Sequence, residues 1–350
     1  MKVCWSKREL ESTFEGYDAV VMSYSQLKYS LKAFSWADMV VADECHYLCN
    51  LQSQRTQMFH EYIEGRLPER LVLLSGTPVK NRVGEYYSLL ALCSYNPRGT
   101  SGKDLSKLFD NYYKFVGVFC NMKTLRINGR RITKYEGVKN IPRLKDLLRG
   151  KFFRRTTDSV LDLPPLLEKD VFIDKEIKDP EYETMWEDFK ENGQSGHFSS
   201  VKKRVSVAKA AFTASYVNDL VAVNGSCVVF TDHPDAAWSI SSKITGSKVI
   251  DGTVDPDTRA KLVDQFQRGS VDVLVCTIGA ASTGFTLTRT SDLVFNDINW
   301  VGANNEQAKK RIHRISQEKT CRIHYICGSK TDVKIRKTVN TKEKDVRRLL

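Results

Sequence analysis

Val-Val-Ala-Asp-Glu-Cys-His, at positions 40–46, joins a short apolar run to two acids and a histidine. Similar apolar runs, often rich in β-branched residues, recur between longer helical stretches. Near-continuous apolar strands that alternate with helices are typical of parallel sheets covered by helices on both faces. The sequence therefore predicts an α/β fold with strands at 38–42, 71–75, 227–231, 271–276, 293–298 and 322–327.

Polar residues directly after the strands are the first candidates for a site, because ligands of such sheets bind at the carboxyl ends of the strands. There Asp43 can hold Mg²⁺, usually through water, and Glu44 can polarise an attacking water molecule. Ser75 and Thr77 place hydroxyls after the next strand, at the same predicted edge. Each motif alone also fits an acidic loop or a Gly-Pro turn. The two together are more specific than either one.

The composition describes a soluble globular protein of 350 residues, with room for two domains. A net charge of +12 favours a polyanionic partner. Nine cysteines, several in apolar runs, suit a reducing compartment. A zinc site at Cys45, His46 and Cys49 is an alternative interpretation, but no second ligand pair follows. Without 18 consecutive apolar residues or a signal peptide, we expect an intracellular protein outside the membrane, in cytoplasm or nucleus, or in the host cell if the gene is viral.

The domain organisation follows from the stretches that interrupt the alternation of apolar strands and helices. We expect a partial first lobe at 1–95, then an insertion and a return to that lobe at 96–170. The insertion includes a helix rich in aromatic residues and a hairpin at 124–133, whose Asn-Gly suits a type I′ turn. A charged helical linker at 171–214 and a second lobe with a basic tail at 215–350 complete the chain. Candidates for phosphate contacts are Lys202, Lys203, Arg204 and Arg259.

Two further stretches in the second half carry candidate residues. The segment 277–287 holds small residues and hydroxyls, among them Thr283 and Gly284, that let the backbone approach a ligand closely. Residues 307–317 hold Gln307 and two arginines three apart, Arg311 and Arg314, which predicts one helical face. Such a pair can offset charge on a transferring phosphate. Alone, the stretch also fits a solvated basic helix.

Five motifs in order resemble motifs II to VI of superfamily-two helicases. They are the DEAH-like Asp-Glu-Cys-His at 43–46, Ser-Gly-Thr-Pro at 75–78, Phe-Arg-Arg-Thr-Thr to Leu-Pro-Pro at 153–165, Thr-Gly-Phe-Thr-Leu-Thr at 283–288 and Gln-Ala-x-x-Arg-x-His-Arg-Ile-x-Gln at 307–317. The resemblance covers nearly all of the chain and is greatest to the Swi/Snf-related DNA translocases. The ending at 323–326 and the compact insertion resemble the annealing-helicase branch.

The resemblance implies two RecA-like lobes that close over ATP, with double-stranded or forked DNA tracked along them. It implies that Asp43 and Glu44 serve Mg²⁺ and water activation, and that Gln307, Arg311 and Arg314 meet the γ-phosphate. His46, Ser75 and Thr77 would link hydrolysis to lobe movement, and Thr283 and Gly284 would lie near the DNA or the cleft. Ser316 stands where the family usually has Gly.

One family motif has no counterpart in the sequence. The phosphate loop, Gly-x-x-x-x-Gly-Lys-Ser/Thr, does not occur in the 350 residues. Without it the β- and γ-phosphates lack their main anchor. We therefore expect an incomplete first lobe, a carboxyl-terminal portion of an enzyme that needs a separate Walker A segment, such as one on another polypeptide, and little ATP hydrolysis by this chain alone. The alternatives are a non-catalytic DNA-binding relic or regulatory module of the same fold, and an RNA helicase of the superfamily.

Overall fold

The chain divides into two compact units. The computed structural model describes residues 1–4, 17–30, 37–66, 68–79, 82–94, 111–127, 130–155, 161–192, 196–280 and 284–347. Unit 1 contains residues 1–153 together with 345–350, and unit 2 contains residues 154–344.

Unit 1 combines short parallel strand pairs, helices and one hairpin. Strands β1 (Lys2–Cys4) and β2 (Val20–Met22) pair in parallel, as do β3 (Met39–Ala42) and β4 (Arg70–Leu73). The antiparallel hairpin joins β5 (Asn121–Ile127) to β6 (Arg130–Glu136). The described helices are α1 (Leu27–Ser30), α2 (Gln54–Arg66), α3 (Tyr86–Ser94), α4 (Tyr112–Phe119) and α5 (Ile141–Leu148).

Two apolar clusters hold unit 1 together. The first packs the strand pairs against α2 and α3 through residues such as Ala42, Phe59 and Ile63. The second joins α3, α4 and α5, with Phe115 and Leu144 fully buried. Only one face of β3 is covered, since Met39 and Val41 remain about half exposed. The expectation that β3 is a buried strand is therefore wrong at these two positions, where successive side chains alternate between faces.

Unit 2 is built on a six-stranded parallel sheet. Its strands are β7 (Leu166–Phe172), β8 (Cys227–Thr231), β9 (Lys248–Ile250), β10 (Val273–Thr277), β11 (Asp292–Phe295) and β12 (Cys321–Cys327), in the order β7-β12-β11-β8-β10-β9. Its helices are α6 (Tyr182–Asn192), α7 (Gly196–Ala208), α8 (Ala210–Asn224), α9 (Pro234–Ser241), α10 (Pro256–Arg268), α11 (Gly302–Lys309) and α12 (Lys330–Arg347).

Both faces of this sheet are buried because its apolar strands alternate their side chains between two layers. One face, with Phe230 and Phe295, packs against α6, α7, α10 and α12. The other face, with Val229 and Val294, packs against α8 and α9. Every residue of β8, β10 and β11 is buried. The α/β fold predicted from the sequence is confirmed, and each of the six predicted runs overlaps a strand.

The boundary between the units lies earlier than the sequence analysis placed it. Residues 154–170, expected to return to the first lobe, belong to unit 2, and β7 pairs with β12 along all its seven residues. The expected linker at 171–214 also belongs to unit 2. Its helices α6 and α7 bury Trp186 and Phe198 beside Trp300. This packing joins residues more than 100 positions apart, which helical periodicity alone does not reveal.

Two further findings concern the chain as a whole. All nine cysteines are free thiols, and only Cys49 and Cys93 are not fully buried. Burial raises the pKa of Cys276 and of Cys327 to about 12, which keeps both thiols protonated. Within the described ranges no helix has the length and apolarity needed to traverse a bilayer.

Candidate nucleotide site

The acids of unit 1 lie where the sequence predicted them, directly after β3. Pairing of β3 with β4 continues past the strand ends, because Leu74 N–H donates to Ala42 O (2.9 Å) and Cys45 N–H donates to Leu74 O (2.8 Å). Asp43 is exposed, and its Oδ1 accepts a hydrogen bond from Glu44 N–H (2.8 Å). Tyr24 donates its hydroxyl hydrogen to Asp43 O (2.7 Å). The turn is tight: Glu44 has φ 49° and ψ 46°, in the left-handed region.

His46 connects the acidic turn to the turn after β4. Its ring is buried, and Nδ1 lies 3.1 Å from Ser75 Oγ and 3.0 Å from Glu44 Oε2. Ser75 Oγ in turn accepts a hydrogen bond from Thr77 N–H (3.1 Å). Three of the residues expected to act in coupling, together with Glu44, thus form one connected polar group. Thr77 Oγ1 is buried and has no hydrogen-bond partner within the described part of the chain.

The donor set of this turn fits magnesium better than zinc. Exposed carboxylate oxygens are the hard ligands that Mg²⁺ prefers, and Mg²⁺ usually keeps several waters when it arrives with a nucleotide. The described residues contain no group of three or more His, Cys, Asp or Glu placed to hold a metal ion on their own. Cys45 is buried, and Cys49 donates its S–H to Pro78 O (3.3 Å). Both features disfavour the zinc alternative.

The arginines of unit 2 do not lie on a helix, and the expected helical face is wrong. Helix α11 ends at Lys309, so half-buried Gln307 is helical while Arg311 and Arg314 lie in the consecutive turns that follow. Short-range bonds such as Arg311 N–H to Ala308 O (3.0 Å) and Gln317 N–H to Arg314 O (3.0 Å) define these turns. The turns are followed by Ser316 with φ 81°, a left-handed conformation that suits glycine.

Both arginines contact the segment that begins at Gly284. Arg311 Nη1 donates to Phe285 O (3.4 Å), and its guanidinium lies 5.8 Å from the Phe285 ring centroid. Arg314 Nη1 donates to Thr286 Oγ1 (3.2 Å). Gly284 has φ 78°, a conformation that favours glycine. Thr283, also a predicted site residue, lies outside the described residues.

A set of contacts missed by the sequence analysis holds the arginine turns in place. His313 Nε2 lies 2.8 Å from Pro164 O, to which its N–H donates. Gln317 donates its amide hydrogens towards the carbonyls of Thr288 (3.2 Å), Thr290 (2.8 Å) and Ile312 (3.1 Å). In the sequence, the only signal of these contacts is the Leu-Pro-Pro run. It indicates a rigid connection but does not show which residue contacts it.

Ion pairs of the buried Lys309 lie at the end of α11, just before the arginines. Lys309 Nζ lies 2.6 Å from an oxygen of Glu168 on β7 and 2.6 Å from an oxygen of Glu306. Burial alone would lower the pKa of Lys309, but Tyr325 and these two carboxylates raise it above its ordinary value. The lysine is therefore charged, and it anchors the helix end to the edge strand.

The basic cluster at 202–204, predicted to contact nucleic acid, forms ion pairs with acidic side chains. Lys202 is 4% exposed, and its Nζ donates to Asp232 Oδ2 (2.8 Å) and Ile298 O (2.6 Å). Burial alone would raise the pKa of Asp232, but Lys202 holds it below its ordinary value. This pair joins α7 to the sheet, and the prediction that Lys202 binds nucleic acid does not agree with its burial.

The other three basic candidates are more accessible. Lys203 pairs with Asp235, and both side chains are about half exposed. Arg204, likewise about half exposed, pairs with Asp179 (3.2 Å) and Glu181 (2.5 Å). Arg259 Nη2 donates to Val254 O (2.9 Å) beside the amino-terminal end of α10. Exposed pairs such as those of Lys203 and Arg204 are weak and can exchange for a phosphate, so these assignments stay predictions.

Comparison with protein families assigns the molecule to the helicase class. A family described as the helicase conserved C-terminal domain matches residues 211–316, and the SNF2-related domain matches residues 5–208. The match to the SNF2-related domain alone covers more than half of the chain. The chain therefore belongs to the SNF2-related family. The motifs quoted from the sequence fall within these two matches, apart from Gln317 at the end of the last motif.

Curated relatives share about a quarter of their residues with this chain. The DNA annealing helicase and endonuclease ZRANB3 of Mus musculus is 26% identical over 313 residues, which are 84% of this chain and 28% of that protein. The SWI/SNF-related matrix-associated actin-dependent regulator of chromatin subfamily A-like protein 1 of Drosophila melanogaster is 27% identical over 309 residues, or 83% of this chain and 38% of that protein. The chain thus spans about a third of the length of these relatives.

Among solved structures, the chain is similar to the crystal structure of the C-terminal part of the Fun30 ATPase domain. The sequences are 16% identical, the match covers 45% of this chain and 54% of that chain, and the TM-score is 0.31.

Proposed function

We propose that this chain is the motor portion of an ATP-dependent DNA translocase of the annealing-helicase kind, which couples ATP hydrolysis to movement on double-stranded or forked DNA. Membership in the SNF2-related family supports ATP-driven action, and the names of the relatives support DNA as the substrate. The net charge of +12 agrees with a polyanionic partner.

The roles we assign follow from the chemistry of each side chain. Asp43 would hold the Mg²⁺ that accompanies ATP, through water, and Glu44 would orient the attacking water molecule. Arg311 and Arg314 would offset negative charge on the transferring phosphoryl group, with Gln307 beside it. Bound Mg²⁺ would supply charge neutralisation at the phosphates. Lys203, Arg204, Arg259, Thr283 and Gly284 stay candidates for contacts with the DNA backbone.

The observation that carries the proposal is the polar group formed by Glu44, His46, Ser75 and Thr77. Its contacts of about 3 Å connect Glu44, the residue expected to activate water, to the turn after β4. Movement of either turn changes the position of His46, and so the hydrogen bonding of Glu44. We infer that this group relays the state of the nucleotide to the rest of unit 1.

Hydrolysis tests the proposal most directly. Because the 350 residues contain no phosphate loop, the assay uses the chain fused behind the phosphate-loop segment of the mouse annealing helicase. We expect DNA-stimulated ATP hydrolysis that Glu44→Gln reduces about 100-fold or more, the usual weight of a general base. Arg311→Gln should reduce it about 1,000-fold. Glu61→Gln and Arg268→Gln, at exposed positions, are the matched controls and should leave the rate unchanged.

DNA binding is measured on the chain as it is. Anisotropy of a labelled forked duplex should rise with protein concentration, and the logarithm of affinity should fall linearly with the logarithm of salt concentration. Glu44→Gln should bind like the wild type. A chain that does not bind DNA in low salt, or a Glu44→Gln fusion as active as its parent, contradicts the proposed function.

A further inference from the structure

The hairpin of β5 and β6 carries an unusual distribution of charge. Between positions 121 and 136 the sequence has five basic residues and one acidic residue. The strand register places Lys123 directly opposite Lys134 and Arg126 directly opposite Arg131. Like charges at directly opposed positions destabilise an antiparallel pair. The hairpin therefore concentrates positive charge along both of its strands, which favours an anionic partner.

These two basic rungs lie on opposite faces of the hairpin. Opposed residues of an antiparallel pair share a face, and successive rungs alternate between faces. Lys123 and Lys134 therefore lie on one face, while Arg131 lies on the other. A rung of hydroxyls, Thr124 opposite Thr133, lies between the two basic rungs. Basic residues on both faces fit a ribbon with phosphates on either side of it, whereas a ribbon lying on one flat anionic surface needs only one basic face.

The base of the hairpin is fixed to unit 1, and three described residues farther along the strands are exposed. Tyr135 packs beside the cluster that contains Phe119, and Lys139 N–H donates to Phe119 O (2.9 Å) where the chain leaves β6. Farther out, Thr124, Arg131 and Thr133 are exposed. The hairpin is thus a short arm on a rigid base, with strands about 24 Å long for seven residues.

We propose that this hairpin is a contact for duplex DNA: a basic two-stranded ribbon that enters the major groove and contacts the phosphates on both sides of it. The major groove of B-DNA is about 12 Å wide and admits a two-stranded ribbon, whereas the minor groove, about 6 Å wide, does not. Lysine, arginine and threonine are common donors to phosphate oxygens. The inference rests on the proposed function, and it names the element that would grip the duplex.

The test compares variants of the whole chain in binding to duplex DNA across a range of salt concentrations. Lys123→Gln with Arg131→Gln removes one charge from each face. We expect an affinity at least fivefold lower and a salt dependence shallower by about 1.8, since each phosphate contact contributes about 0.9 to the slope. Lys243→Gln with Lys248→Gln, two exposed lysines of unit 2, makes the same change in net charge and should leave the affinity within twofold.

A charge reversal separates binding from folding. Lys123→Glu converts a like-charge rung into an opposite-charge rung with Lys134, so the hairpin should unfold at the same or a higher temperature. Its affinity for duplex DNA should nevertheless fall about tenfold or more. Affinity for duplex RNA should change less than twofold, because the deep, narrow major groove of A-form RNA does not admit the ribbon.

Three results would overturn the inference. They are hairpin variants that bind duplex DNA like the wild type, a control pair that loses as much affinity as the hairpin pair, and equal losses for DNA and RNA. In each case the wild-type chain still binds DNA and the proposed function stands. A wild-type chain that binds no DNA at all contradicts the proposed function instead.

Discussion

Ser316 is a single residue whose backbone conformation is unfavourable for its side chain. Its φ of 81° lies in the left-handed region, which costs an L-residue about 1–2 kcal/mol. The resemblance to superfamily-two helicases already drew attention to position 316, since that family usually has glycine there. The structure supplies the reason, because the chain leaves the arginine turns through this residue.

We therefore expect Ser316→Gly to stabilise the protein. The gain should be about 0.5 kcal/mol, since relief of backbone strain is partly offset by the larger entropy of glycine in the unfolded chain and by loss of the contact with Thr288 Oγ1 (3.3 Å). Thermal unfolding followed by circular dichroism should show a rise of about 1–2 °C. Ser270→Gly, at an exposed serine without positive φ, should instead lower the midpoint. A lower midpoint for Ser316→Gly would contradict the explanation.

His60 gives unit 1 a dependence on pH. Burial lowers the pKa of His60 from the usual 6.5 to about 4, and its Nε2–H donates to Ser88 Oγ (2.9 Å). Between these two values the unfolded chain binds a proton that the folded chain does not, so stability falls as the pH falls from about 6.5 to 4. Urea unfolding at pH 7 and pH 5 should show this loss.

The variant His60→Gln, whose side chain keeps an N–H donor for Ser88, removes the titrating group. Its unfolding free energy should change less between pH 7 and pH 5 than that of the wild type. Equal changes in the two proteins would show that His60 does not contribute to the pH dependence. His233, whose pKa is also lowered, mainly by burial, remains in both proteins and cancels in the comparison.

At the scale of the element, helix α11 and the turns behind it depend on the Lys309 ion pair. Lys309→Met leaves two partly exposed carboxylates without their cation, which should destabilise unit 2 by about 1–3 kcal/mol. Denaturant unfolding measures this cost. Lys203→Met removes one member of an exposed pair and should cost less than about 1 kcal/mol.

Lys309 and its two carboxylate partners can also be replaced together. Lys309→Met combined with Glu168→Leu and Glu306→Leu removes both charges left behind, so most of the stability should return. If the triple variant is no more stable than Lys309→Met alone, the loss comes from packing of the lysine chain and not from unpaired charge. In the fusion enzyme, Lys309→Met should also lower the rate of hydrolysis, since the arginine turns begin at the next residues.

Local signals predicted the strands well and the arginine stretch poorly. Continuous apolar runs identified β8 and β12 because fully buried parallel strands have this composition. Spacing of three placed Arg311 and Arg314 on one helical face, but consecutive turns also bring such residues near each other. At the helix end, Lys309 pairs with Glu168, 141 positions away. A contact of this kind leaves no periodic trace in the sequence.

For the whole molecule, the position of the boundary predicts which fragments fold. A fragment of residues 154–344 contains all six strands of the unit 2 sheet and the helices α6 and α7 that cover one face. We expect it to unfold cooperatively in urea. A fragment of residues 215–350, which follows the boundary predicted from the sequence, lacks β7 and exposes the surface covered by Trp186 and Phe198.

The shorter fragment should therefore aggregate or unfold without a cooperative transition, as shown by circular dichroism and size-exclusion chromatography. Cooperative unfolding of residues 215–350 with the same midpoint as residues 154–344 would contradict the boundary. The sequence could identify the class of fold and the order of the motifs. It could not assign β7 to its sheet, because its partner β12 begins 155 positions later (321 minus 166).

The long separation in sequence between β7 and β12 has a consequence for synthesis of the protein on the ribosome. At about 5–20 residues per second, β7 is synthesised roughly 8–30 seconds before β12. Throughout that interval the nascent chain presents an edge strand with Leu167 and Phe172, which are still about 60% exposed after folding. Production in a host cell should accordingly benefit from chaperones that bind nascent chains, and slower translation before Cys321 should lower the soluble yield.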